Sequence, residues 1–143
     1  MNIVKKGTEN MNNIDLMNFW IESSDEDYNV MNVLYSNKKN SYCLFFGHLV
    51  IEKLLKALYA KNNRNAPHAP RSHDLLYLAE KMELELTEKQ EDLLDIITKF
   101  NMNARYDDYK KEFYAKCTDD YTSEQIKNIE EVRKWIKNLL TTE

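Results

Sequence analysis

Glycine, proline and cysteine are scarce in this chain, with two of each among 143 residues. Folds with many strands need glycine and proline at their turns, so this scarcity argues against a sheet-rich architecture. Leucine, lysine, glutamate, asparagine and tyrosine are abundant instead. A chain of this length can bury a core without disulfides or a structural metal. The composition therefore predicts one all-α domain.

The cysteines and the charge narrow the range of functions. Cys43 and Cys117 lie far apart and form no CxxC motif, and the opening MNIVKKGTENMNN lacks the apolar stretch of a secretory signal. We expect reduced thiols, a cytoplasmic location and, since no apolar run is long enough to span a bilayer, no membrane association. The net charge of -4 excludes the global basic field of a general nucleic-acid binder. Local recognition of a few phosphates stays open.

Hydrophobic periodicity predicts an antiparallel up-and-down bundle of about five helices, two of them long. Two capping-box patterns, Thr87 with Gln90 and Thr122 with Gln125, predict the starts of the fourth and the last helix. The tyrosine-rich segment 103–121 has the spacing for one further short helix. The predicted helices are 14–36, 39–62, 74–83, 87–101 and a final helix from Thr122 onward.

Two segments are predicted to lie outside the helices. Residues 1–12 lack hydrophobic periodicity, so we expect a flexible tail followed by a single helical domain over residues 13–143. Residues 63–72 contain both prolines, which exclude a continuous helix there and predict a loop.

The second helix carries one polar line on an otherwise apolar surface. His48, Glu52 and Lys56 fall on successive turns of one face, within the run CLFFGHLVIEKLLKALY. A helix this apolar must sit in a core, where unpaired charges are costly. Glu52 and Lys56 therefore need partners from elsewhere in the chain or from a ligand.

Asp27 lies in the middle of the apolar stripe of the first helix, an unusual place for a carboxylate. If the first two helices pack antiparallel, Asp27 faces the region of Glu52 and Lys56. One interpretation is a buried Asp27–Lys56 pair that fixes the register of the helices. The other is that these residues form the walls of a binding site.

Arg105 and Tyr106 stand just beyond the predicted end of the fourth helix. An arginine among tyrosines is suited to bidentate contact with phosphate or carboxylate, with ring faces for a base to stack on. The alternative is structural: Arg105 pairs with Asp107, Asp108 or Glu52 and holds the loop in place.

His73 precedes Asp74, which is predicted to cap the third helix, so His73 is expected to make an orienting hydrogen bond at that helix start. Arg71 and His73 together are a second candidate for contact with an anion. The three histidines have no zinc-site spacing, so we expect no metal. Nucleotide-binding glycine loops and the serine-hydrolase elbow are also absent.

Three short motifs resemble the signatures of HEPN domains, the helical partners of prokaryotic nucleotidyltransferases. The run from Ile51 to Ala57 is similar to the family pattern AxEKxLKA, Ser72 to Leu75 resembles tHdL, and Ala104 to Tyr106 matches ARY. The motifs occur in family order, and the similarity covers about residues 14–140.

The resemblance implies a helical bundle, often a homodimer, and often encoded beside a minimal nucleotidyltransferase as a toxin–antitoxin pair. Many HEPN proteins are metal-independent endoribonucleases with an arginine followed, after four to six residues, by a histidine. In this chain the positions that match this histidine, counted from Arg105, hold Lys110, Lys111 and Glu112, and no histidine follows His73. The usual general acid or base of the ribonuclease is therefore missing.

The resemblance then favours a non-catalytic HEPN module that binds a partner nucleotidyltransferase, a nucleotide, or both, without a cofactor. Two alternatives stay open: a ribonuclease toxin with an atypical site, acting on RNA, and a structural homodimer that associates through the tyrosine-rich segment 106–121. The expected binding residues are Glu52, Lys56, His73 and Arg105 by resemblance, with Asp27 and Tyr106 added from the helical periodicity.

Overall fold

The computed structural model describes residues 8–142, which fold into helices joined by short connections and contain no strand. This confirms the predicted all-α class, with one helix more than the five expected. The helices after residue 12 are α1 Asn13–Ser36, α2 Asn40–Asn62, α3 Leu75–Lys81, α4 Glu88–Arg105, α5 Asp107–Lys116 and α6 Asp119–Thr141. None of the helices within residues 8–142 combines the length and apolarity that a membrane span requires.

The core is built around α2. This helix is buried along most of its length, as its apolar surface predicts, and α1, α3, α4 and α6 all pack against it. The largest buried side chains come from α2 and from the facing stripes of its neighbours. They include Leu16, Met31, Leu44, Ile51, Leu54, Leu55, Leu58, Leu94, Ile97 and Phe100.

The connection between α1 and α2 is short, so the two long helices form an antiparallel hairpin. Lys38 has a φ of 59°, and the amides of Lys38 and Lys39 donate to the carbonyls of Tyr35 and Leu34. This is the hydrogen-bond pattern of a Schellman motif. Glu83, with a φ of 57°, ends α3 in the same way. The left-handed positions that other proteins give to glycine are thus occupied here by lysine and glutamate.

The predicted caps of α3 and α4 are confirmed. A side-chain oxygen of Asp74 accepts from the amide of Tyr77 at 3.2 Å. The hydroxyl of Thr87 accepts from the amide of Gln90, and the Gln90 side chain accepts from the Thr87 amide, which completes the capping box. The predicted loop 63–72 is free of helix, and the short helix expected within 103–121 is α5.

Two predicted boundaries are wrong. Helix α4 continues past residue 101 to Arg105. Helix α6 begins at Asp119 rather than after Thr122, because the Thr118 hydroxyl accepts from the Tyr121 amide at 3.2 Å and forms an earlier cap. Two aspartates then occupy the first turn, where the helix dipole favours them. Thr122 is fully buried inside the helix instead.

The first seven residues of the predicted tail lie outside the described residues. Residues 8 and 9 are helical, and Asn12 belongs to the bundle because its side chain accepts from the Asp15 amide at 2.8 Å and caps α1. The assignment of residues 13–143 to a single domain stays a prediction.

Both cysteines are free and buried. Burial raises the pKa of Cys43 to about 12 and that of Cys117 to about 11. At neutral pH both are thiols rather than thiolates, so neither is an activated nucleophile.

Gly47 provides a test of the packing between α2 and α6. A Cβ at this position would lie 2.3 Å from Cδ1 of Ile129. We expect Gly47→Ala to lower the free energy of unfolding by about 1–3 kcal/mol, because the added methyl group would overpack the core. In an Ile129→Val background Cδ1 is gone, while the contacts of 3.3 Å to Cγ1 of residue 129 and to Sδ of Met31 remain, so Gly47→Ala should cost less stability than in the wild type. Urea unfolding of the four proteins in this cycle measures the effect. Equal effects of Gly47→Ala in both backgrounds would contradict it.

Candidate binding site

Glu52 is the centre of a polar cluster on α2. Its carboxylate is buried, and Oε1 lies 2.7 Å from Nδ1 of His73 while Oε2 lies 3.1 Å from Nζ of Lys56. Lys56 is one helical turn further along α2, and His73 comes from the segment that precedes α3. The charged side chains of the second helix are therefore paired with each other and with this segment.

Lys56 is held on two sides. Besides its ion pair with Glu52, its ammonium lies 4.9 Å from the centroid of the Trp20 ring on α1. An ammonium at this distance from an indole face is attracted by the ring quadrupole. Lys56 is therefore fixed in orientation and only partly accessible.

The pKa of Glu52 reflects these neighbours. Burial by itself raises the pKa, but the hydrogen bond from His73 and the positive charge of Lys56 together outweigh burial. The net pKa is below the ordinary value, so Glu52 is a carboxylate at neutral pH. It is a negatively charged anchor for the cationic and hydrogen-bonding groups around it.

His48 extends the cluster from α2 towards α4. Its ring is fully buried, and Nε2 donates to the carbonyl of His73 at 2.8 Å, which places the proton on Nε2. Nδ1 is then an acceptor, and the Asn101 side-chain amide donates to it over 3.5 Å. Burial lowers the pKa of His48, so the ring is neutral.

Arg105 joins the same network through Asn101. Its guanidinium donates to the side-chain oxygen of Asn101 over a long 3.4 Å. The guanidinium carbon also lies 6.0 Å from the centroid of the Tyr106 ring, and both of these side chains are largely exposed. His73, together with side chains of α2 and α4, thus connects Lys56 at one end of the network to Arg105 at the other.

Asp27 lies outside this network. Its carboxylate lies 2.6 Å from Nζ of Lys53, so the interpretation as an Asp27–Lys56 pair is wrong. The reason is the register of the α1–α2 hairpin, in which Lys56 is opposite Trp20, two turns away along α1. Asp27 and Lys53 fix that register instead. Of the six predicted binding residues, Glu52, Lys56, His73 and Arg105 share one network, Tyr106 adjoins it, and Asp27 is separate.

A polar cavity of about 480 Å³ opens beside Lys56. Trp20 of α1, Lys56 of α2 and the loop 63–72 form its walls. We refer to it as the Trp20–Arg71 cavity. Its lining consists of Glu9, Trp20, Lys56, His68, Ala69, Pro70 and Arg71.

Sequence reasoning missed three parts of this arrangement. It noted His48 on the polar line but gave it no place in the site, and it overlooked Asn101 and the position of Trp20. Asn101 continues the buried stripe of Leu94 and Ile97 at helical spacing, so a polar residue in an apolar stripe was the available signal. Within residues 8–142 no group of three acidic, histidine or cysteine side chains converges as metal ligands would.

The comparisons with known proteins agree with this architecture. The family model of the HEPN domain matches residues 17–139. The chain therefore belongs to the HEPN family, as the motifs in α2, before α3 and at the end of α4 predicted. Neither the curated proteins nor the solved structures gave a match.

The burial of His48 makes stability depend on pH. Its pKa in the folded protein lies below the ordinary 6.5, so the unfolded chain binds more protons between the two values. The stabilisation is complete above pH 6.5 and is lost as the pH falls towards the folded pKa. The free energy of unfolding from urea titrations should therefore fall between about pH 7 and 5. Glu52 contributes only at lower pH, since its stabilisation is lost below 4.5.

His48→Gln should flatten this pH dependence, because glutamine can donate to the His73 carbonyl but does not titrate. His68→Gln, in the exposed loop, is the matched control. An unchanged slope in His48→Gln, or the same flattening in His68→Gln, would show that another group carries the dependence.

Proposed function

We propose that this chain is a non-catalytic HEPN module that binds a nucleotide in the Trp20–Arg71 cavity. The observation that carries the proposal is the lining of that cavity, which brings two cations, a histidine and an indole ring around a space of about 480 Å³. This volume lies within the range of small-ligand sites. Phosphates require cations, and a base or ribose requires an apolar face.

Arg71 is the principal phosphate ligand in this proposal. The charge of Lys56 is compensated by Glu52 at 3.1 Å, so Lys56 alone offers little net attraction to an anion. Arg71 is exposed and forms no ion pair with any residue from 8 to 142. His68 lies on the same wall. Glu9 is the one carboxylate of the lining.

The polar network serves as the support of this cavity. Glu52 holds both Lys56 on the wall and His73 in the segment that follows Arg71 along the chain. The loop is thereby anchored to α2 at a buried carboxylate, which preorganises it for a ligand. No histidine stands at the family's ribonuclease position after Arg105. The module is therefore proposed to bind rather than to cleave.

A nucleotidyltransferase is the proposed protein partner. Two observations support this partner. The chain belongs to the HEPN family, and the resemblance to that family implies a nucleotidyltransferase partner. The cavity is also suited to the nucleotides that such an enzyme handles. Co-purification of a small protein encoded by a neighbouring gene would support this part of the proposal. A toxin–antitoxin assay with the two proteins would define the role of their association.

Nucleotide binding is tested by thermal unfolding with ATP and GTP. At a ligand concentration of about 100 times Kd, binding adds about 2.7 kcal/mol to the free energy of unfolding and raises Tm. Arg71→Ala should remove most of this rise. Arg64→Ala, an exposed arginine of the same loop that does not line the cavity, should retain it. No rise in Tm with either nucleotide, or equal loss in both variants, would overturn the proposal.

One observation favours a second candidate, a metal-independent ribonuclease with an atypical site. The Nδ1–H of His73 donates to the buried carboxylate of Glu52 at 2.7 Å, while the His73 side chain is 56% exposed. An oriented histidine with its other nitrogen towards solvent is suited to general acid–base catalysis. Arg105, on the same network, would stabilise the negative charge of a phosphate in the transition state.

Cleavage assays on total RNA or tRNA in EDTA test this candidate. It predicts cleavage that falls by about 100-fold or more in His73→Gln, since a general acid or base contributes at least that factor. Arg105→Ala should also lose activity. His68→Gln is the control. An identical cleavage pattern from wild type, His73→Gln and Arg105→Ala would eliminate both residues as catalytic groups.

A further inference from the structure

A second concave surface lies where the start of α2, the end of α4 and helix α5 meet. It consists of two cavities of about 360 and 260 Å³ that share Tyr42, Ala104 and Lys110. We call this surface the α2–α5 groove. Its lining includes Tyr42, Arg105, Lys110, Lys111, Phe113 and Tyr114. It shares no residue with the Trp20–Arg71 cavity, so it is a separate site.

The floor and walls of the groove present mainly apolar surface, most of it from aromatic rings. Phe113 is buried at the base, and Tyr42 and Tyr114 stand at the sides with 52% and 73% of their surface exposed. Tyr106, Tyr109 and Met102 are further exposed apolar side chains in the same part of the sequence. Clusters of exposed aromatic side chains are uncommon on free surfaces and are typical of interaction sites.

The rim of the groove is positively charged. Arg105, Lys110 and Lys111 stand against one carboxylate, Asp107. The Lys110–Asp107 contact is 3.9 Å and Asp107 is almost fully exposed, so this pair neutralises little. The chain as a whole has a net charge of -4. A local positive rim on an acidic protein therefore selects for a ligand with negative charge.

We propose that the α2–α5 groove binds a short acidic segment of another protein that inserts one apolar side chain between Tyr42 and Tyr114. The half-open, mainly apolar space takes the apolar anchor, and the three cations of the rim pair with flanking carboxylates. This combination of a central apolar anchor and charged flanks is how amphipathic segments are recognised in grooves.

The same observations disfavour a single-stranded nucleic acid. Such a ligand carries a phosphate at every nucleotide and binds along extended basic tracks. Here the cations are confined to one rim, and acidic residues such as Asp108, Glu112 and Asp120 lie nearby in sequence on α5 and α6. A long polyanion would meet these carboxylates outside the groove, whereas a short acidic segment would not.

Fluorescence anisotropy with synthetic peptides tests the proposal. The probe is a labelled peptide of about 14 residues with one leucine at its centre and glutamates on both sides. A second peptide carries lysine in place of glutamate. Wild type should bind the acidic peptide and not the basic one. The double variant Lys110→Glu/Lys111→Glu should bind the acidic peptide about tenfold more weakly or worse, and should gain affinity for the basic peptide.

Two further variants separate the roles of rim and wall. Tyr114→Ala removes an exposed ring without disturbing the core and should weaken binding of the acidic peptide at both low and high salt concentration. The effect of Lys110→Glu/Lys111→Glu should shrink at high salt, because salt screens exposed charges. Lys127→Glu/Lys134→Glu places the same charge change on the exposed face of α6 and should leave affinity unchanged. Far-ultraviolet circular dichroism checks that each variant is folded.

Several outcomes would overturn the proposal. Equal affinity for acidic and basic peptides would exclude charge selection, and equal losses in the α5 and α6 reversals would exclude this groove. Tighter binding of a labelled oligouridylate that is lost in Lys110→Glu/Lys111→Glu would make the groove an RNA site. A wild-type dimer in light scattering that dissociates in Tyr114→Ala would make it a self-association site. None of these results bears on ATP or GTP binding at Arg71.

Discussion

The buried carboxylate of Glu52 is the constraint around which the polar half of this bundle is arranged. A charge inside the most apolar helix is tolerated only because Lys56 and His73 contact it directly. The contact with His73 ties the segment before α3 to α2, although that segment has little secondary structure of its own. The shape of the adjoining cavity, and with it the position of Arg71, therefore depends on one ionised group.

Two parts of the surface meet at Arg105. Its guanidinium reaches Asn101, and through Asn101 and His48 the hydrogen-bond network that contains Glu52. The same side chain lines the groove between α2 and α5. The groove shares no lining residue with the Trp20–Arg71 cavity, and Arg105 connects the groove to the polar network that supports that cavity. Hydrogen-bonded side chains on α2 and α4 thus link the network to the groove.

Much of the fold was predictable because it follows from local patterns. The long helices, the caps at Asp74 and Thr87 and the central position of α2 all arise from periodicity and short-range hydrogen bonds. The cap at Thr122 was wrong because Thr118 offers an earlier start that the pattern does not distinguish. The partner of Asp27 depends on the register of the α1–α2 hairpin, because a shift of one helix by a single turn exchanges Lys53 for Lys56.

The candidate site was predictable in its charged members and not in its neutral ones. Glu52, Lys56, His73 and Arg105 stand out because charges on apolar stripes demand an explanation. Asn101 and His48 connect them, but an amide or a neutral ring becomes a connector only through tertiary distances of a few ångström. Trp20 was visible as an apolar residue of α1, and its place above Lys56 is again a matter of register.

The two left-handed residues that end α1 and α3 show how a glycine-poor chain makes sharp turns. Lys38 and Glu83 each accept a backbone strain of about 1 kcal/mol that glycine would avoid. A side chain at these points also narrows the range of conformations open to the denatured chain, which offsets a similar amount. Sharp turns are therefore compatible with a composition almost without glycine. The free energy that the strained backbone costs in the folded state is offset in part by the lower conformational entropy of the unfolded chain.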